Sequence, residues 1–225
     1  MSCRDALKHA ADNEERYVDD LKTLLRIPSV SVNPAGVSEC VEFLCDHLKG
    51  MGMAVSVFET ERNPIVLGEL KGKSPRTILF YGHYDVQPPE PLELWTNPPF
   101  EPTIIDGKVF ARGSADDKGQ FYMHVKALET MHRTNTLHTN IKFLIEGEEE
   151  VGSEQLERYL ARPEAADKLA ADVIETALSR LKPGDAAEIE VALRFAELLR
   201  EALGGHLCSC AFEPWCRVGE SCTIS

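Results

Sequence analysis

One stretch limits what this chain can fold into: Ile78-Leu79-Phe80-Tyr81-Gly82-His83-Tyr84-Asp85-Val86-Gln87-Pro88. Its opening run of apolar and aromatic residues fits a strand buried on both faces, as strands inside an α/β sheet are. The run turns polar at Gly82, where the backbone is expected to turn, and Pro88 ends any ladder. His83 and Asp85 stand two apart, so an extended backbone sends both side chains to the same side. A carboxylate in that position can accept one imidazole N–H and leave the other ring nitrogen for a metal. In open α/β sheets, chemistry gathers at the carboxyl ends of the strands. Taken alone, the stretch fits a strand end with a surface histidine and aspartate as well.

The flanking sequence supplies the partners of such a strand. Residues from about Arg4 to Arg26 read as a helix with Val18, Leu21 and Leu25 on one face, broken at Ile27-Pro28-Ser29-Val30. A second helix is expected from about Pro34 to Lys49, with Val37, Val41, Leu44 and Leu48 as its stripe and Gly50 just past its end. Cys40 and Cys45 lie on or near that stripe and read as small core residues. Met53 to Glu59 and Pro64 to Leu70 read as paired strands. Asp106-Gly107 marks the turn of a hairpin over Ile104–Phe110. A polar loop, Ala111 to Gly119, then leads into a helix that buries Phe121, Val125, Leu128 and Met131 or His132. Asn140 to Ile145 reads as a short buried strand, and Ser153 as the cap of a helix from about Glu154. Strands alternating with helices define a layered α/β domain.

Polar residues recur at the ends of these strands. His83 and Asp85 close one; Asp116 and Asp117 occupy a loop that enters a helix; Glu148, Glu149 and Glu150 follow another strand. Adjacent glutamates repel one another unless a cation or a proton sits among them, although the start of a helix also attracts acidic residues. A histidine with several carboxylates suits zinc, with cobalt or manganese as alternatives. Two metals bridged by a carboxylate would clamp a scissile carbonyl and activate water, with a glutamate nearby as general base. The formal net charge of -13 argues against nucleic acid or an anionic membrane surface as partner. No apolar stretch reaches transmembrane length, the first residues begin no apolar signal segment, and the cysteines show no disulfide-framework spacing through the first two-thirds, so a reducing cytoplasm is the expected compartment.

Four motifs in order carry a resemblance: Gly82-His83-Tyr84-Asp85-Val86-Gln87-Pro88; Leu94-Trp95 with Pro99-Phe100-Glu101-Pro102; Ala111-Arg112-Gly113-Ser114-Ala115-Asp116-Asp117-Lys118-Gly119; and Glu149-Glu150-Val151-Gly152-Ser153. Together they resemble the di-zinc metallopeptidase family of carnosinase, aminoacylase, acetylornithine deacetylase and succinyl-diaminopimelate desuccinylase, most closely its carnosinase-type dipeptidases. The resemblance covers about residues 5 to 173. It implies a layered αβα zinc-exopeptidase-like catalytic domain that hydrolyses an amide bond in a dipeptide or N-acyl amino acid. It casts His83, Asp116 and Glu150 as metal ligands, with Asp116 bridging two zinc ions and the Asp116–Asp117 peptide cis. Asp85 would orient His83, and Glu149 would be the general base. Glu148 stands at a variable position and receives no role.

The resemblance ends near Ile174. Relatives continue with a strand that completes the first zinc site, an inserted lid domain, returning strands and a late histidine. Here Glu175 to Lys182 and Ala186 to Leu203 read as helices, and a tail follows with Cys208, Cys210, Cys216 and Cys222, for which no regular structure is expected. The expected organisation is therefore residues 1–173 as the catalytic part, 174–203 as a divergent helical segment and 204–225 as the tail. Glu175 and His206 are the candidates to replace the missing ligands. The alternative to an enzyme is a non-catalytic domain that binds metal weakly or serves a partner.

Overall fold

The computed structural model describes residues 3–176. The helix expected at Ala186–Leu203, His206 and the cysteine tail lie outside the described residues. The elements run α1 (Cys3–Asp12), α2 (Glu14–Arg26), α3 (Pro34–Gly50), β1 (Ala54–Phe58), β2 (Ile65–Leu70), β3 (Thr77–His83), β4 (Thr103–Ile105), β5 (Lys108–Phe110), α4 (Lys118–Arg133), β6 (Asn140–Glu146), α5 (Glu154–Leu160), α6 (Pro163–Leu169) and β7 (Val173–Thr176).

Five strands form one mixed sheet in the order β1-β2-β6-β3-β7. The β1–β2 and β2–β6 pairs are antiparallel, whereas β6–β3 and β3–β7 are parallel. The apolar run at Ile78 takes a central position between β6 and β7, as its lack of polar interruption requires. One core packs α2, α3 and α4 on one face of the sheet, through Leu24, Leu44, Leu48, Phe121, Val125 and Phe143. A second core fills the other face under α5 and α6, through Leu79, Tyr81, Leu144, Leu156 and Leu169. The result is the layered αβα arrangement expected of the sequence.

Local chemistry accounts for the departures. The single N-terminal helix expected is two, because Asn13 donates its side-chain amide to the carbonyl of His9 at 2.9 Å, one turn back, and interrupts the ladder. Gly50 remains helical; the left-handed residue beyond the helix is Gly52, at φ 87°. Ser153 stands before α5 with φ 55° and makes no side-chain cap; its hydroxyl donates to the buried Glu146 instead, at 2.9 Å. The hairpin turn is as expected, with Asp106 and Gly107 at φ 50° and 73°.

Glu175 requires a larger correction. It lies in β7, not in a helix, and pairs in register with Phe80. The β-branched Val173, Ile174 and Thr176 favour a strand, and pairing with β3 carries Glu175 into it. Because β3 and β7 are parallel, Glu175 stops three residues below the level of His83, roughly 10 Å along the strand. It is not among the side chains that gather at the end of β3.

Candidate metal centre

The segment after β3 stays extended because both edges are held. The Tyr84 amide donates to the Glu146 carbonyl at 2.8 Å, and the Val86 amide donates to the Ser29 carbonyl at 3.0 Å. Gly82 does not turn the backbone, since it is the penultimate residue of β3. Its role is close approach: a Cβ there would lie 2.6 Å from Phe121 Cβ and 2.8 Å from Asp117 Oδ2. The start of α4 can therefore press against the strand end, which brings the Asp116–Asp117 loop beside His83.

His83 is 2 % exposed and sits between two carboxylates. Its Nδ1 lies 3.1 Å from the Asp85 carbonyl and 3.3 Å from Asp85 Oδ1, while its Nε2 lies 3.0 Å from Asp116 Oδ1. Burial alone would lower the His83 pKa. Hydrogen bonds to Asp116 and Asp85 overcome that and raise it well above the ordinary value. Asp116, in turn, is held below its usual range by the hydrogen bond to His83, and its peptide bond to Asp117 is cis.

Asp85 has no exposed surface and is fully engaged. Its Oδ2 accepts from the Ser31 hydroxyl at 2.7 Å and from the Glu150 amide at 3.2 Å, and its Oδ1 accepts from the Glu149 amide at 3.3 Å. One buried carboxylate thus fixes both the imidazole and the loop that carries the glutamates. That loop, Gly147 to Ser153, can pass over Tyr84 only because residue 147 lacks a Cβ, which would fall 2.2 Å from the Tyr84 hydroxyl.

The loop delivers Glu150 to the imidazole side. His83, Asp116 and Glu150 each offer a donor atom, and these atoms lie within 4.8 Å of one another. Glu149 Oε2 lies 3.8 Å from His83 Nε2. Glu150 Oε2 accepts from the Gln87 amide group at 2.9 Å, yet burial pushes its pKa up to about 7. Beneath the cluster, Asp117 accepts the His83 backbone N–H at 3.1 Å and is pushed up to about 7, chiefly by burial. One imidazole and two carboxylates, from His83, Asp116 and Glu150, form a donor set of the kind that holds a divalent cation once the ring nitrogen has given up its proton. The structure thus brings together all five residues singled out in the sequence. Glu148 points elsewhere, into the protein.

Several partners were invisible in the motifs. Ser31 and Asn63 come from distant turns: Asn63 donates its side-chain amide to Ser31 O at 2.9 Å and to Gly147 O. Lys118 is buried and donates to the carbonyls of Leu24 and Ile27 at 3.2 and 2.7 Å, which satisfies the C-terminus of α2 from the first residue of α4. Short polar residues in turns carry no periodic signal; only their proximity to the motifs in space marks them.

A mixed sheet with helices on both faces carries a histidine–carboxylate cluster at the carboxyl end of a central strand, the place where α/β domains gather their chemistry. Residues 79–204 match the profile of Peptidase family M20/M25/M40, and the chain belongs to that family. The match runs past Ile174, where the motif resemblance ended. A Beta-Ala-His dipeptidase of Mus musculus is 33% identical over 178 residues, covering 70% of this chain and 36% of the relative. Among solved structures, an M20 family metallo-carboxypeptidase from Sulfolobus solfataricus is 33% identical with a TM-score of 0.68, covering 72% of this chain and 37% of that one. Human carnosine dipeptidase 1 is 27% identical with the same TM-score, covering 76% and 40%. The chain thus spans about a third of the length of the curated relatives it matches. Among the described residues, no helix is long and apolar enough to cross a membrane.

Proposed function

We propose that the chain carries the catalytic chemistry of a metal-dependent peptidase that cleaves an amide bond in a dipeptide or N-acyl amino acid. The observation that carries this is the convergence of the His83, Asp116 and Glu150 donor atoms within 4.8 Å, with Glu149 at 3.8 Å from the same imidazole. His83, Asp116 and Glu150 would hold the metal, with Asp116 between two ions. Zinc suits this donor set, with manganese and cobalt as alternatives. When bound, the metal supplies Lewis acidity at the scissile amide. Asp85 holds the His83 ring by accepting at Nδ1, which turns Nε2 toward the cluster. Glu149 takes a proton from the attacking water and returns it to the departing amine nitrogen. The Beta-Ala-His dipeptidases among its relatives make β-alanyl-histidine the first dipeptide to assay.

A second reading has its own support. The register of β7 leaves Glu175 level with Phe80, so among the described residues three side chains supply the donors. With that set alone the chain binds a single ion and turns over slowly, as a metal-binding domain of the family. Metal analysis of the purified chain saturated with zinc or manganese, with hydrolysis of a dipeptide panel, separates the two. The first reading expects two ions and turnover that falls at least about 100-fold in Glu149→Gln. One ion with turnover indifferent to Glu149→Gln would replace it with the second.

A further inference from the structure

Glu148 directly precedes two functional candidates, Glu149 and Glu150, but is 1 % exposed and turned away from them. Its Oε1 accepts the backbone N–H of Asn63 at 3.3 Å, and its Oε2 accepts that of Gln155 at 3.3 Å. Its own carbonyl accepts the Ser153 amide at 2.8 Å and the Val151 amide at 3.1 Å. The Asn63 side chain completes the arrangement by donating to Gly147 O and to Ser31 O, the latter at 2.9 Å. Ser31 is the residue whose hydroxyl reaches Asp85. The loop that carries Glu149 and Glu150 is therefore gripped from outside by Asp85, which accepts its two amides, and from inside by Glu148, which ties it to the turn between β1 and β2 and to the start of α5.

We infer that Glu148 and Asn63 are positioning residues for the metal centre: a buried clasp that sets where Glu149 and Glu150 stand without touching metal or substrate. This rests on the metal reading of the site. The physical ground is that Glu148 brings two backbone donors to one carboxylate in a buried place, where neither donor has water to fall back on. Without it, the loop keeps Asp85, the Asn63 side chain on Gly147 O and Gln87 on Glu150, but loses its ties to the Asn63 and Gln155 backbones, and Glu150 loses its fixed distance to His83 and Asp116. Loss of a group that orients ligands weakens metal affinity by about 10–100-fold.

The test compares wild type with Glu148→Ala, Asn63→Ala and Glu148→Gln, the last retaining one acceptor. His83→Ala serves as the metal-free control. Cobalt(II) titration followed by its visible absorption reads affinity and ligand geometry together. Hydrogen exchange without metal reads the amides of Glu149 and Glu150 directly. The clasp predicts cobalt affinity about 10–100-fold lower and an altered absorption envelope in Glu148→Ala. It predicts a smaller loss in Glu148→Gln, and faster exchange at the two amides while β3 and β6 stay protected. Unfolding would show instead as lost protection in β3 and β6, in which case Glu148→Gln decides. Cobalt affinity, spectrum and loop exchange all unchanged in Glu148→Ala would overturn the inference alone. A wild type that binds cobalt no better than His83→Ala would overturn the metal reading, and the clasp with it; loop exchange would still report whether Glu148 holds the loop.

Discussion

At the scale of single residues, Asp85 bears the most. It accepts from Ser31, Glu149 and Glu150 and faces the His83 ring, with no surface open to water. Asp85→Ala would leave three partly buried donors unpaired, at about 1–3 kcal/mol for each that water cannot reach. Urea unfolding is expected to show a loss of about 3 kcal/mol. A loss within the few tenths typical of surface changes would mean that water fills the gap. Of the five candidate site residues, His83, Asp85, Glu149 and Glu150 were legible because each follows an apolar run, and Asp116 because it stands in a polar loop that enters a helix. Ser31 and Asn63 were not, since a serine three residues past Pro28 and an asparagine before Pro64 read as ordinary turn residues until the fold sets them beside Asp85 and Gly147.

At the scale of elements, the contact between the end of β3 and the start of α4 decides the geometry of the centre. Gly82→Ala would place a methyl group 2.6 Å from Phe121 Cβ and 2.8 Å from Asp117 Oδ2. The helix would have to retreat, at about 1–3 kcal/mol of stability. Because Asp116 moves with the helix start, metal affinity should fall alongside the melting temperature, and calorimetry with a metal titration reads both. Lower stability with unchanged affinity would show that the Asp116 loop moves independently of α4. The elements themselves were largely readable. Helix α3 declared its stripe and the β4–β5 hairpin its Asp-Gly turn, and β3 its unbroken apolar run. Strand β7 did not, because its β-branched Val173, Ile174 and Thr176 form a run too short to show alternation before a helix-favouring sequence begins; its pairing with β3 makes it visible as a strand.

At the scale of the whole molecule, a polar network away from the centre contributes to the response to acid. His47 is pushed down to about 4 by burial and by the Lys126 ammonium, and Nζ of Lys126 lies 2.9 Å from its ring. Glu129 is opposed by burial yet drawn down to about 2 by Arg16, Lys126 and Arg133. Both shifts act in one direction. Between about pH 6.5 and 4 the unfolded chain binds a proton at His47 that the folded chain refuses. Between about 4.5 and 2 it does so at Glu129. These two groups should therefore withdraw stability as pH drops from about 6.5 toward 2, while Asp117 and Glu150, raised to about 7, and Glu146, raised to about 8, act the opposite way over the upper interval. His47→Gln should change the slope of stability with pH between about 6.5 and 4 and leave the lower interval in place, as chemical denaturation at a series of pH values would reveal. An unchanged slope in that variant would assign the upper interval to other groups.

Strands β3 and β6 pair in parallel, with Thr77 opposite Asn140 and His83 opposite Glu146. A parallel pair admits no short connection, and closing a loop of that length is slow compared with forming a helix or hairpin. His83 and Glu150 reach each other only after that closure, while Asp116 arrives with α4 from the middle of the connection. A cation thus finds its donors assembled late, after the rate-limiting search. Metal should consequently slow unfolding far more than it hastens folding, acting as a latch on the finished domain and not as a seed for it.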